Sequence, residues 1–204
     1  MFGLGVGPTR VDLDWTGDRL AFAWMYQQRP TFGDPIGDVE GLATALGLDP
    51  SSMLSGLPVQ VVSCGLPFLM VPIATAEAVD SIEVDGSKLK AFERDNGLDG
   101  VGFFVFSPSV AGGSATAHSR MFAPDFGMLE DPATGAASGP LGCYLVHHGV
   151  VPVPLAGKIV SNQGVRMGRP SQIHIAIGLE GKEIVEVKVG GVAVVLGEGT
   201  LQVA

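Results

Sequence analysis

Little in this 204-residue chain is basic, and nothing in it is both long and apolar. Lysine and arginine number 12 against 21 aspartates and glutamates, which leaves a net charge of −9 and a pI near 4.7. The basic residues are scattered. Phosphate backbones are bound by clustered Lys and Arg, so nucleic acid is excluded as a partner. An acidic ligand would need a local positive site to overcome the overall charge. The longest mostly apolar stretch, Leu66 to Ala76, is interrupted by Pro67 and Pro72. It falls far short of the ~20 residues a membrane helix requires, so no membrane partner is expected. Cysteine is scarce too. Cys64 and Cys143 stand far apart among small or apolar neighbours and read as buried free thiols. No His/Cys/Asp cluster has metal-ligand spacing, and Gly3, Gly5 and Gly7 do not compose a dinucleotide fingerprint. Neither a metal nor a cofactor is expected. With no signal peptide at the N-terminus, a reducing cytoplasm is the expected compartment.

What the chain does hold is glycine and proline, 30 and 14 residues, with no collagen-like period and no low-complexity block. They read as turn punctuation between short elements. Hydrophobic residues make up 46% and charged residues 16%, ample for a packed core. The length suits one large domain, or one domain with part of another.

Residues 9–26 alternate around the Thr16-Gly17-Asp18 turn and predict a β-hairpin. Residues 29–35, with two prolines and a glycine, predict a linker. Asp38 to Leu48 predicts an amphipathic helix stopped at Gly47. Strands are expected at 59–63, 68–73, 101–107, 115–122, 158–161, 172–179, 183–189 and 192–195. Helices are expected at 75–80, 87–96 and 133–148. The sum is a β-rich α+β fold.

The run from Arg120 to Ser138 carries the chemistry. A strand ends, a glycine loop follows, and the acidic pair Glu130-Asp131 precedes a helix. Asp131 suits an N-cap and Pro132 the first helical position, with Thr134 a second candidate cap. Gly135 and Ala136 have no bulk to shield their backbone amides, which lie at the positive end of the helix dipole. Such amides can cradle a carboxylate or an enolate-like oxygen. The helix beyond is slim and apolar, with Ala136, Ala137, Gly139, Gly142 and Cys143 next to Leu141, Tyr144, Leu145 and Val146. It should be enclosed by strands, with a kink possible at Pro140. Local reading leaves two alternatives open: an anion cradle, or an ordinary helix start that binds nothing.

Glu130-Asp131-Pro132-Ala133-Thr134-Gly135 matches the EDPATG signature of the PhzF (phenazine-biosynthesis-like) family, preceded at the usual interval by Arg120, Phe122 and Gly127. Gln163-Gly164 with Met167-Gly168-Arg169-Pro170-Ser171 is similar to that family's QG…GRPS segment. Gly65-Leu66-Pro67 and Val189-Gly190-Gly191-Val192-Ala193-Val194 match two further segments in the right order. The chain thus resembles the PhzF family over most of its length.

The resemblance implies a diaminopimelate-epimerase-like fold, a bent sheet or barrel around a central helix in each of two similar domains. It also implies cofactor-independent isomerase or epimerase chemistry that moves a proton on a small carboxylate-bearing substrate. Asp131 would assist the proton transfer, and Thr134, Gly135 and Ala136 would bind substrate. Two departures stand out. Ala136 occupies a position that is usually serine, and the segment bearing the family's proton-carrying glutamate has no counterpart here. Residues 1–30 are expected to be the last hairpin of the first domain and residues 31–204 the second domain. The alternative is a remnant of the same fold that binds a ligand or dimerises without catalysing. A lone hairpin is marginal in water, so cover for Leu13, Trp15, Phe22 and Trp24 is expected from a homodimer or from a further segment. A cysteine racemase of the related fold is rejected, because Cys143 lies about two turns from the helix start. His147 and His148 are expected to serve the helix C-terminus, His118 and His174 the packing of strands, and Arg169 the bracing of its loop.

Overall fold

The computed structural model describes residues 2–4, 7–108, 115–200 and 202; Gly5 lies outside them. The elements are β1 (Phe2–Leu4), β2 (Gly7–Thr9), β3 (Val11–Thr16), β4 (Arg19–Gln27), β5 (Thr31–Pro35), α1 (Val39–Ala45), β6 (Gln60–Ser63), β7 (Pro67–Pro72), α2 (Ala76–Ser81), α3 (Gly86–Asp95), β8 (Gly102–Ser107), β9 (Ala117–Ala123), β10 (Met128–Asp131), α4 (Gly135–His147), β11 (Ile159–Gln163), β12 (Ser171–Glu180) and β13 (Glu183–Gly191). Three of the helices start on conventional caps. Asp38, Thr75 and Asp85 accept backbone amides from the first turns of α1, α2 and α3.

β1 and β2 form a separate ribbon. The remaining strands make one eleven-stranded sheet in the order β3-β4-β13-β12-β11-β9-β8-β7-β6-β5, with β10 also paired to β9. The order leaves β3 and β5 as edges that are not paired to each other. The described sheet is therefore open, where the resemblance allowed a closed barrel. The hairpin of β3 and β4 joins this sheet through β13, from Val187↔Gln27 to Gly191↔Ala23.

Two cores lie on opposite faces. On one, Leu42, Leu46, Val79, Leu89 and Phe92 of the α1–α3 layer cover Leu69, Val71, Phe103 and Phe122. On the other sits α4, packed against β6 and β7 on one side and β12 and β13 on the other, so the sheet curves around it. Every residue from Ala137 to Leu145 is buried, as a slim apolar helix requires. Gly142 permits this closeness: a Cβ there would stand 2.5 Å from Ile175 Cγ2 and 3.1 Å from Ile177 Cδ1. The helix runs unbroken through Pro140.

Several expectations are corrected. Residues 31–35 form a strand rather than a linker, because Thr31 and Phe32 pair with Ser63 and Val62. No strand forms at 192–195, where Val192 and Val194 are 78% and 73% exposed and bury nothing. Leu13 does not share one apolar face with Phe22 and Trp24, whereas a register shift after Asp14 sets Trp15 opposite Leu20, on their face. Leu13 pairs with Ala23 and Asp12 with Trp24, and alternate residues point to opposite faces.

Candidate active site

The site is built where one edge of β9 is shared by two strands. β11 runs parallel to the first half of β9, with Gln163 opposite Ser119. β10 runs antiparallel to the second half, with Asp131 opposite Met121. Gln163 and Asp131 therefore arrive side by side on the same edge, two residues apart along β9. The Gln163 side chain is fully buried and bridges the gap. Its Nε2 donates to the Asp131 carbonyl at 2.7 Å and to Thr134 Oγ1 at 3.0 Å, and its Oε1 accepts from the Thr134 amide at 3.0 Å.

This network resets the start of α4. Asp131 was the expected N-cap and Pro132 the first helical residue. In fact Asp131 stays extended at the end of β10, Thr134 is the N-cap and Gly135 opens the helix. Thr134 makes no side-chain cap bond, because its hydroxyl donates to Asp131 Oδ2 at 2.5 Å. Gln163, remote in sequence, does the capping instead. Gly164 carries the chain away at φ +75°, so close to the loop that a Cβ would lie 2.6 Å from the Pro132 carbonyl oxygen. The same turn is closed by Arg169, through its backbone amide on the Gly164 carbonyl at 3.0 Å.

The four expected site residues thus occupy different settings. The Thr134 amide and hydroxyl are both engaged, and the residue is buried. Asp131 is half-buried, with one carboxylate oxygen on Thr134. Among the described residues nothing accepts the amides of Gly135 and Ala136. The Gly135 carbonyl does accept, from Gln27 Nε2 at 2.9 Å. Ala136 lines a cavity of about 490 Å³ with Arg10, Tyr26, Gln27, Cys64 and Leu66 among its other walls; Asp131 is not one of them. Among the described residues Arg10 is the one charged residue lining it. It stacks on Tyr26 at 4.4 Å and pairs with Asp12 at 2.8 Å, and its hydrogen bond holds the Asp12 carboxyl below the usual range. The open amides are therefore the local positive feature that is not already offset.

Glu130, the other acid of the signature, is structural. It forms a two-pronged pair with Arg120 at 2.8 and 2.9 Å, and Arg120 Nη1 donates to the carbonyls of Val79 and Ile82 at the end of α2. His118, Arg120 and Phe122 point away from α4, and His118 meets Asp80 at 2.7 Å. His174 lies on the outer face of the sheet, edge-on to Phe22. At the far end of α4, burial and the neighbouring His147 hold the His148 imidazole below its ordinary value. Sequence reasoning missed Gln163 as the cap; the available signal was a Gln-Gly dipeptide closing a strand. Among the described residues no group of three or more His, Cys, Asp or Glu side chains is placed to hold a metal.

Against this geometry, the model of a family described as phenazine biosynthesis-like protein matches residues 5–199. An uncharacterised isomerase, YddE, of Escherichia coli strain K12 is 32% identical over 93% of this chain and 63% of its own length. The trans-2,3-dihydro-3-hydroxyanthranilate isomerase of Pseudomonas chlororaphis is 30% identical over 96% of this chain and 64% of its own length. The chain thus spans just under two thirds of these relatives. A phenazine biosynthesis protein of the PhzF family from Bacillus anthracis superposes with a TM-score of 0.71 at 22% identity, over 93% of this chain and 64% of the other, and has the same fold.

Proposed function

The chain belongs to the phenazine biosynthesis-like family, and we propose that its site serves a cofactor-independent isomerase or epimerase that moves a proton on a small carboxylate-bearing substrate. One observation carries the reading: at the start of a buried helix the Gly135 and Ala136 amides have no acceptor among the described residues, and Ala136 lines a cavity of about 490 Å³. Buried dipoles act at low dielectric, where a carboxylate or enolate-like oxygen gains most from them. Asp131 assists as acid or base next to that anion. Thr134 acts on the substrate indirectly, by holding the Asp131 carboxylate and receiving Gln163. In this reading the main proton carrier is a group outside residues 1–204, from the same or another polypeptide. The known reaction of the Pseudomonas chlororaphis relative supports the substrate class and no finer choice.

A second reading, a cleft that binds such a ligand without reacting, is favoured by the Asp131 carboxylate. It is engaged by the Thr134 hydroxyl and does not line the cavity.

Two measurements separate the readings. The first is NMR detection of deuterium entering small carboxylates in heavy water, with and without the N-terminal half of a relative supplied in trans. Incorporation that Asp131→Asn abolishes is expected. No incorporation under either condition ends the isomerase reading. The second is calorimetric binding of an aromatic carboxylate such as anthranilate to Gly135→Pro. Proline suits the first helical position, Thr134 at φ −97° and ψ 87° tolerates a following proline, and the nearest contact of a Cβ there is 3.8 Å. The variant keeps the helix and removes one donor, so affinity should fall roughly 10- to 100-fold. Unchanged affinity rules out the amide cradle under both readings.

A further inference from the structure

Cys64 and Cys143 are 79 residues apart in sequence, yet their sulfurs touch at 3.8 Å. Cys64 follows β6 and is 7% exposed in the wall of the cavity, while Cys143 is wholly enclosed in α4. We propose that this pair is a dithiol modification site for small peroxides, in which Cys64 reacts first and Cys143 resolves it to a disulfide.

The arrangement divides the roles. A peroxide that enters the cavity reaches Cys64 before it can reach Cys143. The Cys64 thiolate attacks one peroxide oxygen, the O–O bond breaks, and water leaves once the departing oxygen is protonated. A sulfenic acid remains on Cys64. The Cys143 sulfur then attacks Cys64 Sγ, and its proton leaves on the displaced hydroxyl as a second water. Two thiols are oxidised by two electrons, and one peroxide becomes two waters. The sulfurs must close from 3.8 Å to the ~2.05 Å of a disulfide, a side-chain rearrangement next to an open cavity. The product ties the Cys64–Leu66 rim of the cavity to the middle of α4. The chemistry does not depend on what the cavity binds.

The test is intact mass and thiol titration in denaturant on the full chain, before and after equimolar hydrogen peroxide. A loss of about 2 Da, disappearance of both thiols, a Cys64–Cys143 linked peptide and recovery with dithiothreitol are expected. Cys143→Ser should divert Cys64 to a sulfenic acid that dimedone traps, and Cys64→Ser should leave Cys143 unreactive. Persistence of both thiols in the wild-type chain overturns the proposal, as does a crosslink found solely between chains or a dimedone adduct on Cys143 in Cys64→Ser. If either variant fails to fold, the wild-type measurement decides.

Discussion

At its C-terminal end α4 is closed. The carbonyls of Tyr144, Leu145 and Val146 accept the amides of His148, Val151 and Gly149 at 3.0–3.1 Å. Tyr144 Oη donates to the Pro58 carbonyl at 2.6 Å, His148 Nε2 meets Gln60 Oε1 at 3.0 Å, and Phe32 stacks on His147 at 4.2 Å. At its N-terminal end the same helix is preceded by a side-chain network that ends one residue before it. Gln163, Asp131 and Thr134 satisfy one another, and the amides of Gly135 and Ala136 are left open. One end is finished for stability. The other leaves its donors without acceptors among the described residues, which the proposed anion site requires.

The contrast breaks most severely at Gly164. Its backbone is at φ +75°, and a Cβ would meet the carbonyl oxygens of Arg169 and Pro132. Gly164→Ala combines a left-handed strain with a backbone clash, and should cost about 3 kcal/mol or more in chemical denaturation. A loss under about 1 kcal/mol would mean that the 164–170 loop does not press on the start of α4. Next comes Gln163→Leu, which leaves the buried Thr134 amide and the part-buried Asp131 carbonyl unpaired at a cost of about 2–3 kcal/mol. It should also weaken carboxylate binding. Gln163→Glu, which turns a buried oxygen of a carboxyl group on the Asp131 carbonyl beside the Asp131 carboxylate, should cost at least as much as Gln163→Leu. Equal stability of Gln163→Leu and the wild type would remove Gln163 as the cap. Tyr144→Phe probes the other end. It gives up one hydrogen bond, costs about 1 kcal/mol, and should leave carboxylate binding unchanged, because it lies at the closed end. A matching loss of binding would mean that the two ends are coupled.

How much of this could be read in the residues differs between the ends. α4 itself was legible, because small residues at Ala136, Ala137, Gly139 and Gly142 next to Leu141, Tyr144 and Leu145 suit nothing but an enclosed helix. While the Asp and Thr caps of α1–α3 came only with the structure, those helices and the hairpin of β3 and β4 followed from local periodicity. The start of α4 did not. Asp131-Pro132 is the stronger local cap signal, and it lost to pairing with Met121 on β9 and to a glutamine 29 residues downstream of Thr134. Likewise the 31–35 strand depends on Val62 and Ser63, a partner that no reading of its own prolines supplies. The Glu130–Arg120 pair was present as residues and invisible as a contact until β9 and β10 were paired. Local rules located the site, and long-range pairing decided which atoms in it are free.

The smallest expected effect is a pH dependence of the closed end. Burial and the neighbouring His147 hold His148 below the ordinary value of 6.5, so the unfolded chain binds the proton first. Stability from this group is complete above about pH 6.5 and declines as the pH falls toward the folded-state value. Glu93 opposes it in the same window. Burial, then the charge of Asp125, pushes its carboxyl from 4.5 up to about 7. The folded state therefore holds that proton more tightly, and the stabilisation is complete below pH 4.5 and lost as the pH rises to about 7. Discounted for solvent screening, this is of the order of 1–2 kcal/mol, enough to mask the histidine. The comparison is therefore made in a Glu93→Gln background, with and without His148→Gln, by urea midpoints from pH 7 to pH 5. The single variant should lose stability on acidification more steeply than the double variant. Parallel curves would show that the closed end does not titrate, and that its resistance to acid rests on the Tyr144 and backbone bonds alone.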